Sequence, residues 1–216
     1  MSEALRPEPV DLTQRLRLDT RDLHAQTERT GVMAQLLSGR LALPGYCALL
    51  RGLHAVYEAM EAALMRSDAH RAVQDLNDLQ LHRRAALAAD LDRLQGPQWR
   101  SQLPLAAAGV AYVERLRALA QQSSASLVAH AYARYLGDLH GGQILKRLVA
   151  RGLGPAAEGA TQFYEFGDEA RVLALRQALR QALAQLPVTA EEADLIVAEA
   201  RWAFVQHQQL FAELAL

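Results

Sequence analysis

The sequence predicts an all-α fold formed by one domain. Apolar residues recur at helical spacing through most of the chain, and no stretch alternates apolar and polar residues between hairpin turns. A length of 216 residues with 51% hydrophobic content is enough for one sizeable core and short for two. We therefore expect a flexible N-terminal tail at residues 1–10, marked by Pro7 and Pro9, and one helical domain at residues 11–216.

Proline, glycine and capping residues divide this domain into successive helices. The first amphipathic segment covers residues 11–28, and Pro44-Gly45 opens a second helix that ends near residue 65. Thr189-Ala190-Glu191-Glu192 has the pattern of a capping box and opens the last helix. Glycine and proline breaks separate the other predicted helices. These cover residues 81–94, 105–120 and 168–186, and one more runs from the serine cluster at 123–126 to about residue 151.

The composition excludes several classes of protein. A net charge of −1 argues against a protein that binds nucleic acid phosphates. Cys47 is the only cysteine, so the chain can form no internal disulfide or cysteine cluster. The N-terminus has no apolar signal core, and no apolar run approaches the length of a membrane span. We expect a cytoplasmic protein without a membrane partner.

The segment H-A-Y-A-R-Y-L-G-D-L-H-G-G at residues 130–142 places three glycines inside a helical run. Each interior glycine costs roughly 1 kcal/mol relative to alanine. Gly137, Gly141 and Gly142 therefore predict a bent backbone that lets a flat, bulky ligand approach closely. At α-helical spacing His130 shares a face with Gly137 and Gly141, although it is better explained as a hydrogen-bonding residue within the bundle.

One face of the first helix carries a possible metal ligand beside two cations. At about 100° per residue, Arg17, Arg21, His24 and Glu28 fall within an arc of about 60°. An imidazole for iron and guanidinium groups for carboxylates would suit haem. Taken alone, a single histidine such as His24 is more often a solvated or core residue than a metal ligand.

Together these segments resemble the haem oxygenase family in its soluble bacterial form. The matching stretches are L-H-A-Q-T-E around His24, G-L-H-A-V-Y-E-A-M-E around Tyr57, and V-A-H-A-Y-A-R-Y-L-G-D-L-H-G-G-Q-I-L-K at residues 128–146, followed by F-Y-E-F at 163–166 and A-F-V-Q-H-Q-Q-L-F-A-E-L at 203–214. The resemblance implies a multi-helix bundle that holds haem between a proximal N-terminal helix and a glycine-kinked distal helix.

The resemblance also implies the reaction. Haem b would be both cofactor and substrate, and would be cleaved to biliverdin, Fe²⁺ and CO with O2 and electrons from an external donor. The chain has no flavin or nicotinamide fingerprint, so a ferredoxin or flavoprotein reductase is expected as redox partner, with a bilin-accepting protein as a further partner. The sequence does not determine which meso carbon is cut. It also leaves open whether the reaction serves to acquire iron or to supply a bilin chromophore.

The family's residue roles carry over at the matching positions. His24 would bind the iron, with Glu28 as hydrogen-bond partner of its second ring nitrogen. Asp138 would order the water that delivers protons to dioxygen, supported by Tyr57 and Arg134. The alternative for Asp138 is an exposed helical aspartate that only pairs with Arg134.

The remaining predicted contacts concern haem binding. Arg176 and Arg180 match positions where the family places basic residues against the haem propionates, and Arg17 and Arg21 are further candidates. The alternative is a solvated basic stripe. Tyr132 is expected as a packing or propionate neighbour, and Met33 and Phe204 as apolar lining. Four other histidines are expected to be packing or surface residues: His54, His70, His82 and His207.

One position departs from the family pattern. His140 stands where many relatives have a small hydroxyl residue. If its ring faces the haem, it could join the distal water network or bind ferric iron.

Two rival functions remain. A non-catalytic haem carrier or sequestration protein would use His24 but would not need Asp138. An enzyme of the same architecture without haem, such as a thiamin-degrading relative, would need a cysteine nucleophile, and Cys47 lacks a matching context.

Overall fold

A computed structural model of the chain describes residues 12–66, 68–122 and 124–215, and within these ranges it contains helices and no strand. The all-α prediction is therefore confirmed. The prediction of a flexible tail at residues 1–10 lies outside the described residues. The α-helices are α1 (Leu12–Glu28), α2 (Gly31–Leu37), α3 (Leu43–Leu64), α4 (Arg71–Asn77), α5 (Arg84–Gln95), α6 (Trp99–Gln102), α7 (Ala107–Gln121), α8 (Leu127–Ala131), α9 (Gly137–Leu153), α10 (Glu169–Ala184) and α11 (Ala190–Glu213).

The long helices begin and end close to the predicted residues, and their caps explain the boundaries. Thr189 Oγ1 accepts a hydrogen bond from the Glu192 amide at 3.1 Å, and Glu192 Oε2 accepts one from the Thr189 amide at 2.7 Å. The capping box that opens α11 is thus confirmed. Asp168, predicted inside a helix, is instead the N-cap of α10 and accepts from the Arg171 amide at 2.8 Å.

Three short helices, α2, α4 and α6, were not predicted. The start of α2 depends on a close contact with the far end of the chain. Gly31 has φ +47°, and a Cβ at this position would lie 1.9 Å from the Phe211 carbonyl oxygen on α11. Only glycine fits there, and the contact holds α2 against α11.

The helices enclose one core that brings the two ends of the chain together. α1 packs along α11, while α3 lies against α5 and α7, and α8 packs against α11. Large aromatic side chains fill the interior, including the fully buried Trp99, Tyr46, Tyr57, Tyr112 and Tyr135. No helix within the described ranges is long and apolar enough to cross a membrane.

The helix predicted for residues 123–151 is interrupted by a π-helical turn. Between α8 and α9, residues Tyr132–Leu136 form this turn, whereas Gly137 keeps ordinary helical angles of φ −61° and ψ −47°. The distortion thus falls just before the glycines and not at them. A π turn inserts one residue, which rotates everything after it by about 100° relative to an uninterrupted helix. His130 therefore does not share a face with Gly137 and Gly141.

Candidate functional site

A cleft of about 340 Å³ lies between the first helix, the segment after the π turn and the last helix. Side chains of α1, α2, the π turn, α9 and α11 form its walls. The lining residues are His24, Thr27, Glu28, Met33, Leu37, Ala133, Arg134, Gly137, Asp138, His140, Gly141, Ile144, Leu145, Phe204, His207 and Phe211. Seven residues that the sequence analysis assigned to the haem site lie together in this cleft: His24, Met33, Arg134, Gly137, Asp138, Gly141 and Phe204.

His24 presents a half-exposed imidazole to this cleft from the last turns of α1. Its side chain is 51% exposed, and its Nδ1 lies 3.9 Å from Glu28 Oε1. That separation is too long for a hydrogen bond, so Glu28 interacts with the ring as a nearby charge. The ring of Phe204 from α11 stands edge-on to His24, with ring centroids 5.8 Å apart. His24 therefore has a defined neighbour on one side and a ring nitrogen available for a metal.

The opposite wall of the cleft is bare backbone at two of the glycines. A Cβ added to Gly137 or to Gly141 would meet no atom within 4 Å. The glycines at these positions thus keep open a space that a side chain would fill. Gly142 differs, since a Cβ there would lie 3.7 Å from the Tyr164 carbonyl oxygen. Gly142 packs against Tyr164 and does not line the cleft.

A buried polar triad adjoins the glycine wall. Arg134 Nη2 donates to Asp138 Oδ1 at 2.8 Å, and the Tyr57 hydroxyl from α3 donates to Asp138 Oδ2. Arg134 Nε also donates to the Tyr57 hydroxyl oxygen at 3.4 Å. Asp138 is only 5% exposed, so it is not the exposed helical aspartate of the alternative interpretation, although it does pair with Arg134.

Burial sets the protonation properties of this triad. It raises the pKa of the Asp138 carboxyl well above its ordinary value, because the charged form is poorly solvated. It lowers the pKa of Arg134 to about 10, which leaves the guanidinium charged at neutral pH. The cation 2.8 Å away favours the carboxylate form of Asp138 and so opposes the effect of burial. The cleft wall thus contains a carboxyl group suited to accept and release a proton.

His207 is a cleft residue that the sequence analysis missed. It is 2% exposed, and its Nδ1 lies 2.8 Å from the Ala203 carbonyl oxygen. A carbonyl only accepts, so Nδ1 carries the proton, and Nε2 has no hydrogen-bond partner among the described residues. The spacing of Phe204 and His207 on α11 places both on one face, which is the sequence signal that could have identified His207.

A second buried network lies behind the cleft. His130 Nδ1 lies 3.0 Å from the Tyr112 hydroxyl oxygen, and His130 Nε2 lies 3.2 Å from Glu199 Oε1. Arg115 donates two hydrogen bonds to the same glutamate. The hydrogen bond of His130 to Tyr112 within the bundle, expected from the sequence, is therefore present, and Glu199 is a close carboxylate neighbour of the other ring nitrogen.

Arg176 and Arg180 contact the distal helix at the edge of the cleft. Arg176 donates through Nε and Nη2 to the Leu139 carbonyl oxygen at 2.8 and 2.5 Å. Arg180 Nη2 lies 2.9 Å from His140 Nε2, and His140 Nδ1 lies 2.7 Å from the Leu136 carbonyl oxygen. Burial and the two arginines lower the pKa of His140. Both ring nitrogens of His140 are thus engaged, so neither is free for iron.

The remaining predicted haem contacts lie outside the lining of the cleft. Arg17 and Arg21 are exposed, and Arg21 pairs with Asp22 at 3.2 Å. Tyr132 is buried, with its hydroxyl 3.3 Å from Thr20 Oγ1 on α1. Tyr132 therefore joins the distal helix to the proximal one, as a packing residue would.

Comparison with known proteins gives one family. The model of the heme oxygenase family matches residues 10–213. A curated "Heme oxygenase 1" from a Synechocystis species is 37% identical over 205 residues, which cover 95% of this chain and 85% of that protein.

Solved structures agree with the family match. The crystal structure of heme oxygenase-1 from the cyanobacterium Synechocystis sp., in complex with heme, has a TM-score of 0.85 at 36% identity and covers 95% of this chain and 92% of its own. Heme oxygenase from Leptospira interrogans has a TM-score of 0.88 at 33% identity, covering 94% of this chain and 100% of its own. Sequence, fold and cleft together show that this chain is an enzyme of the haem-degrading haem oxygenase family.

Proposed function

We propose that this enzyme cleaves haem to biliverdin, Fe²⁺ and CO, with O2 and electrons from an external donor. The observation that carries the proposal is the shared cleft: the His24 imidazole and the buried Asp138 carboxyl line the same space, beside the bare backbone of Gly137 and Gly141. A flat ligand needs such an open wall, and its iron needs the imidazole. The related Synechocystis structure contains heme, which supports this choice of ligand.

The residues of this cleft fit a haem group. His24 would hold the iron, Phe204 would pack against that imidazole, and Met33 and Phe204 would contact the porphyrin with apolar surface. Arg180 is exposed near the edge of the cleft, where a guanidinium could bind a propionate. When bound, haem supplies both the iron that activates dioxygen and the ring that is cleaved.

Asp138 would take part in proton transfer in this site. Its Oδ1 and Oδ2 are held by Arg134 and Tyr57, so the carboxyl cannot rotate freely. A fixed carboxyl at the cleft wall can order water and pass a proton through it without contacting the iron. Tyr57 and Arg134 would act by positioning Asp138.

The same network disfavours the carrier alternative. Burying Asp138 and Arg134 together costs desolvation energy, and a protein that only stores haem gains nothing from it. We further propose a ferredoxin or flavoprotein reductase as electron donor and a bilin-accepting protein as product partner. The cytoplasmic location stays a prediction.

A turnover assay tests the proposed function. Purified protein is mixed with haemin, and its absorbance is followed under air with a ferredoxin–reductase system. CO is measured separately, by gas chromatography of the headspace. We expect the Soret band to decay while biliverdin absorbance and CO appear in equal amounts. His24→Ala is the control, and should show a weaker Soret band that added imidazole restores. Stable haem absorbance without CO in the wild type would instead support the carrier.

A further inference from the structure

His140 lies between the haem cleft and a second cavity. This second cavity, of about 560 Å³, separates α9 from α10 and is lined by His140, Arg147, Asp168 and Arg176, among others. The ring of His140 fills space and makes contacts that a serine or threonine side chain would be too short to make.

The contacts of His140 define one protonation state of the ring. Arginine has only donors, so His140 Nε2 must accept the hydrogen bond from Arg180 Nη2 at 2.9 Å. The Leu136 carbonyl oxygen only accepts, so Nδ1, 2.7 Å away, must carry the ring proton. Both contacts are satisfied by the same neutral tautomer, and no other tautomer satisfies both.

Arg180 depends on this ring for its position, whereas Arg176 does not. Within the described residues, the contact with His140 is the one hydrogen bond of the Arg180 guanidinium, and the side chain is exposed. Without this hydrogen bond, a long exposed arginine side chain would sample many rotamers. Arg176, one turn earlier, is fixed by the main-chain carbonyl of Leu139, which is present whatever residue occupies position 140.

Arg180 keeps further hydrogen-bond donors while it is bound to His140. One N–H of Arg180 Nη2 points to His140, and the Nε–H and Nη1–H groups of the same guanidinium remain available to a carboxylate. Because His140 itself lines the cleft, these donors stay near the cleft edge. The position of this cation would then affect how a ligand with two carboxylates is rotated in its plane.

We propose that His140 is a positioning residue that holds Arg180 at the edge of the cleft and thereby sets the in-plane orientation of haem. This inference rests on the proposed function, since it concerns the substrate of that reaction. The predicted consequence is a dependence of the biliverdin isomer ratio on the side chain at position 140, transmitted through Arg180.

Two substitutions separate the two hydrogen bonds of the ring. His140→Asn keeps a donor near the position of Nδ1 for the Leu136 carbonyl but is too short to reach Arg180. His140→Gln places an amide oxygen near the position of Nε2 and so keeps an acceptor for Arg180. Arg180→Ala and the double variant His140→Asn/Arg180→Ala complete the set.

We expect His140→Asn and Arg180→Ala to change the biliverdin isomer ratio in the same direction, and to raise the dissociation constant for haemin by roughly threefold. The double variant should have the same isomer ratio and the same haemin affinity as Arg180→Ala, because both changes remove the same interaction. His140→Gln should retain the wild-type ratio and affinity. Wild-type behaviour of His140→Asn or of Arg180→Ala, or additive effects in the double variant, would overturn the proposal.

A measurement on the haem-free protein tests the hydrogen bond independently of turnover. Long-range ¹H–¹⁵N spectra assign which ring nitrogen carries the proton. We expect the Nδ1–H tautomer of His140 in the wild type and loss of the Nε2 hydrogen-bond shift in Arg180→Ala. An Nε2–H tautomer in the wild type would refute the role of His140. A chain with the expected spectrum that forms no biliverdin would instead refute the proposed function.

Discussion

At the scale of single residues, Asp138 shows how a charged group is kept in the wall of a mostly apolar cleft. Arg134 lies four residues earlier, and the ion pair between them joins the π turn to α9. Tyr57 reaches the same carboxyl from α3. Each partner satisfies an otherwise unpaired buried group, so the three side chains stabilise one another's orientation.

Asp138→Asn tests the proton-handling role with little change of shape. The amide can still contact Arg134 and Tyr57 but cannot exchange a proton as a carboxyl does. We expect haemin affinity within about threefold of wild type and biliverdin formation reduced about 100-fold.

The assay for this variant is the yield of biliverdin and CO per haem. Urea unfolding of the haem-free protein provides the control for folding, because Arg134 loses its counter-charge. Yields equal to those of the wild type in a folded variant would remove Asp138 from its catalytic role.

Sequence reasoning located the residues of the cleft better than their contacts. Helical spacing predicted that His24 and Glu28 share a face, and two of the three predicted glycines reach the same cleft together with Asp138 and Phe204. It could not show that Arg180 lies against His140, since that contact joins residues 40 positions apart on two helices. Nor could spacing show that His207 Nε2 has no partner, which depends on packing around it.

At the scale of elements, the π turn explains one failure of sequence periodicity. Counting at α-helical spacing from His130 to Gly137 assumes an uninterrupted helix, and the inserted residue breaks that register. The short helices α2, α4 and α6 were missed for another reason. Their length of four to seven residues gives two turns at most, and α2 depends on the contact of Gly31 with α11.

Gly141 and Gly142 of α9 should respond differently to substitution by alanine. Gly141→Ala should raise the free energy of unfolding of the haem-free protein by about 0.5–1 kcal/mol, because alanine favours the helix and its Cβ meets no neighbour. The same methyl group projects into the cleft and should weaken haemin binding roughly tenfold.

Gly142→Ala is the matched control for this prediction. Its Cβ would make an ordinary contact with Tyr164 outside the cleft, so haemin affinity should stay at the wild-type value. The measurements are absorbance titration with haemin and urea unfolding of each variant. Equal haemin affinity of both variants would show that Gly141 does not open the cleft to the ligand.

At the scale of the whole molecule, the fold class followed from the sequence because it depends on a pattern repeated along the chain. Helical spacing and proline or glycine breaks recur throughout, so local errors leave the all-α assignment intact. The polar interior followed only in part. His130 was expected to hydrogen-bond within the bundle, whereas the burial of His54 and His207 is decided by distant partners. His54, His130 and His207 are all buried in the core.

These buried groups couple stability to pH with opposite signs. Burial lowers the pKa of His54 to about 4 and also lowers the pKa values of His130 and His207. Such histidines destabilise the folded protein as pH falls, because the unfolded chain binds protons that the folded chain does not. Burial raises the pKa of Asp90 to about 6, which has the reverse effect, so the total pH dependence partly cancels.

Comparison of His54→Phe with the wild type isolates one contribution. The ring of His54 lies edge-on to Trp99 at 4.8 Å between centroids, a contact that phenylalanine can keep. Between the unfolded pKa of 6.5 and the folded pKa of about 4, wild-type His54 lowers the free energy of unfolding by about 1.4 kcal/mol per unit of falling pH. The variant lacks this loss, so the stability of the variant relative to the wild type should rise by that slope as pH falls from about 6.5. Urea unfolding followed by circular dichroism from about pH 7 to about pH 5 measures the difference. Parallel stability curves for the two proteins would mean that the folded chain protonates His54 as readily as the unfolded one, and that its burial carries no acid sensitivity.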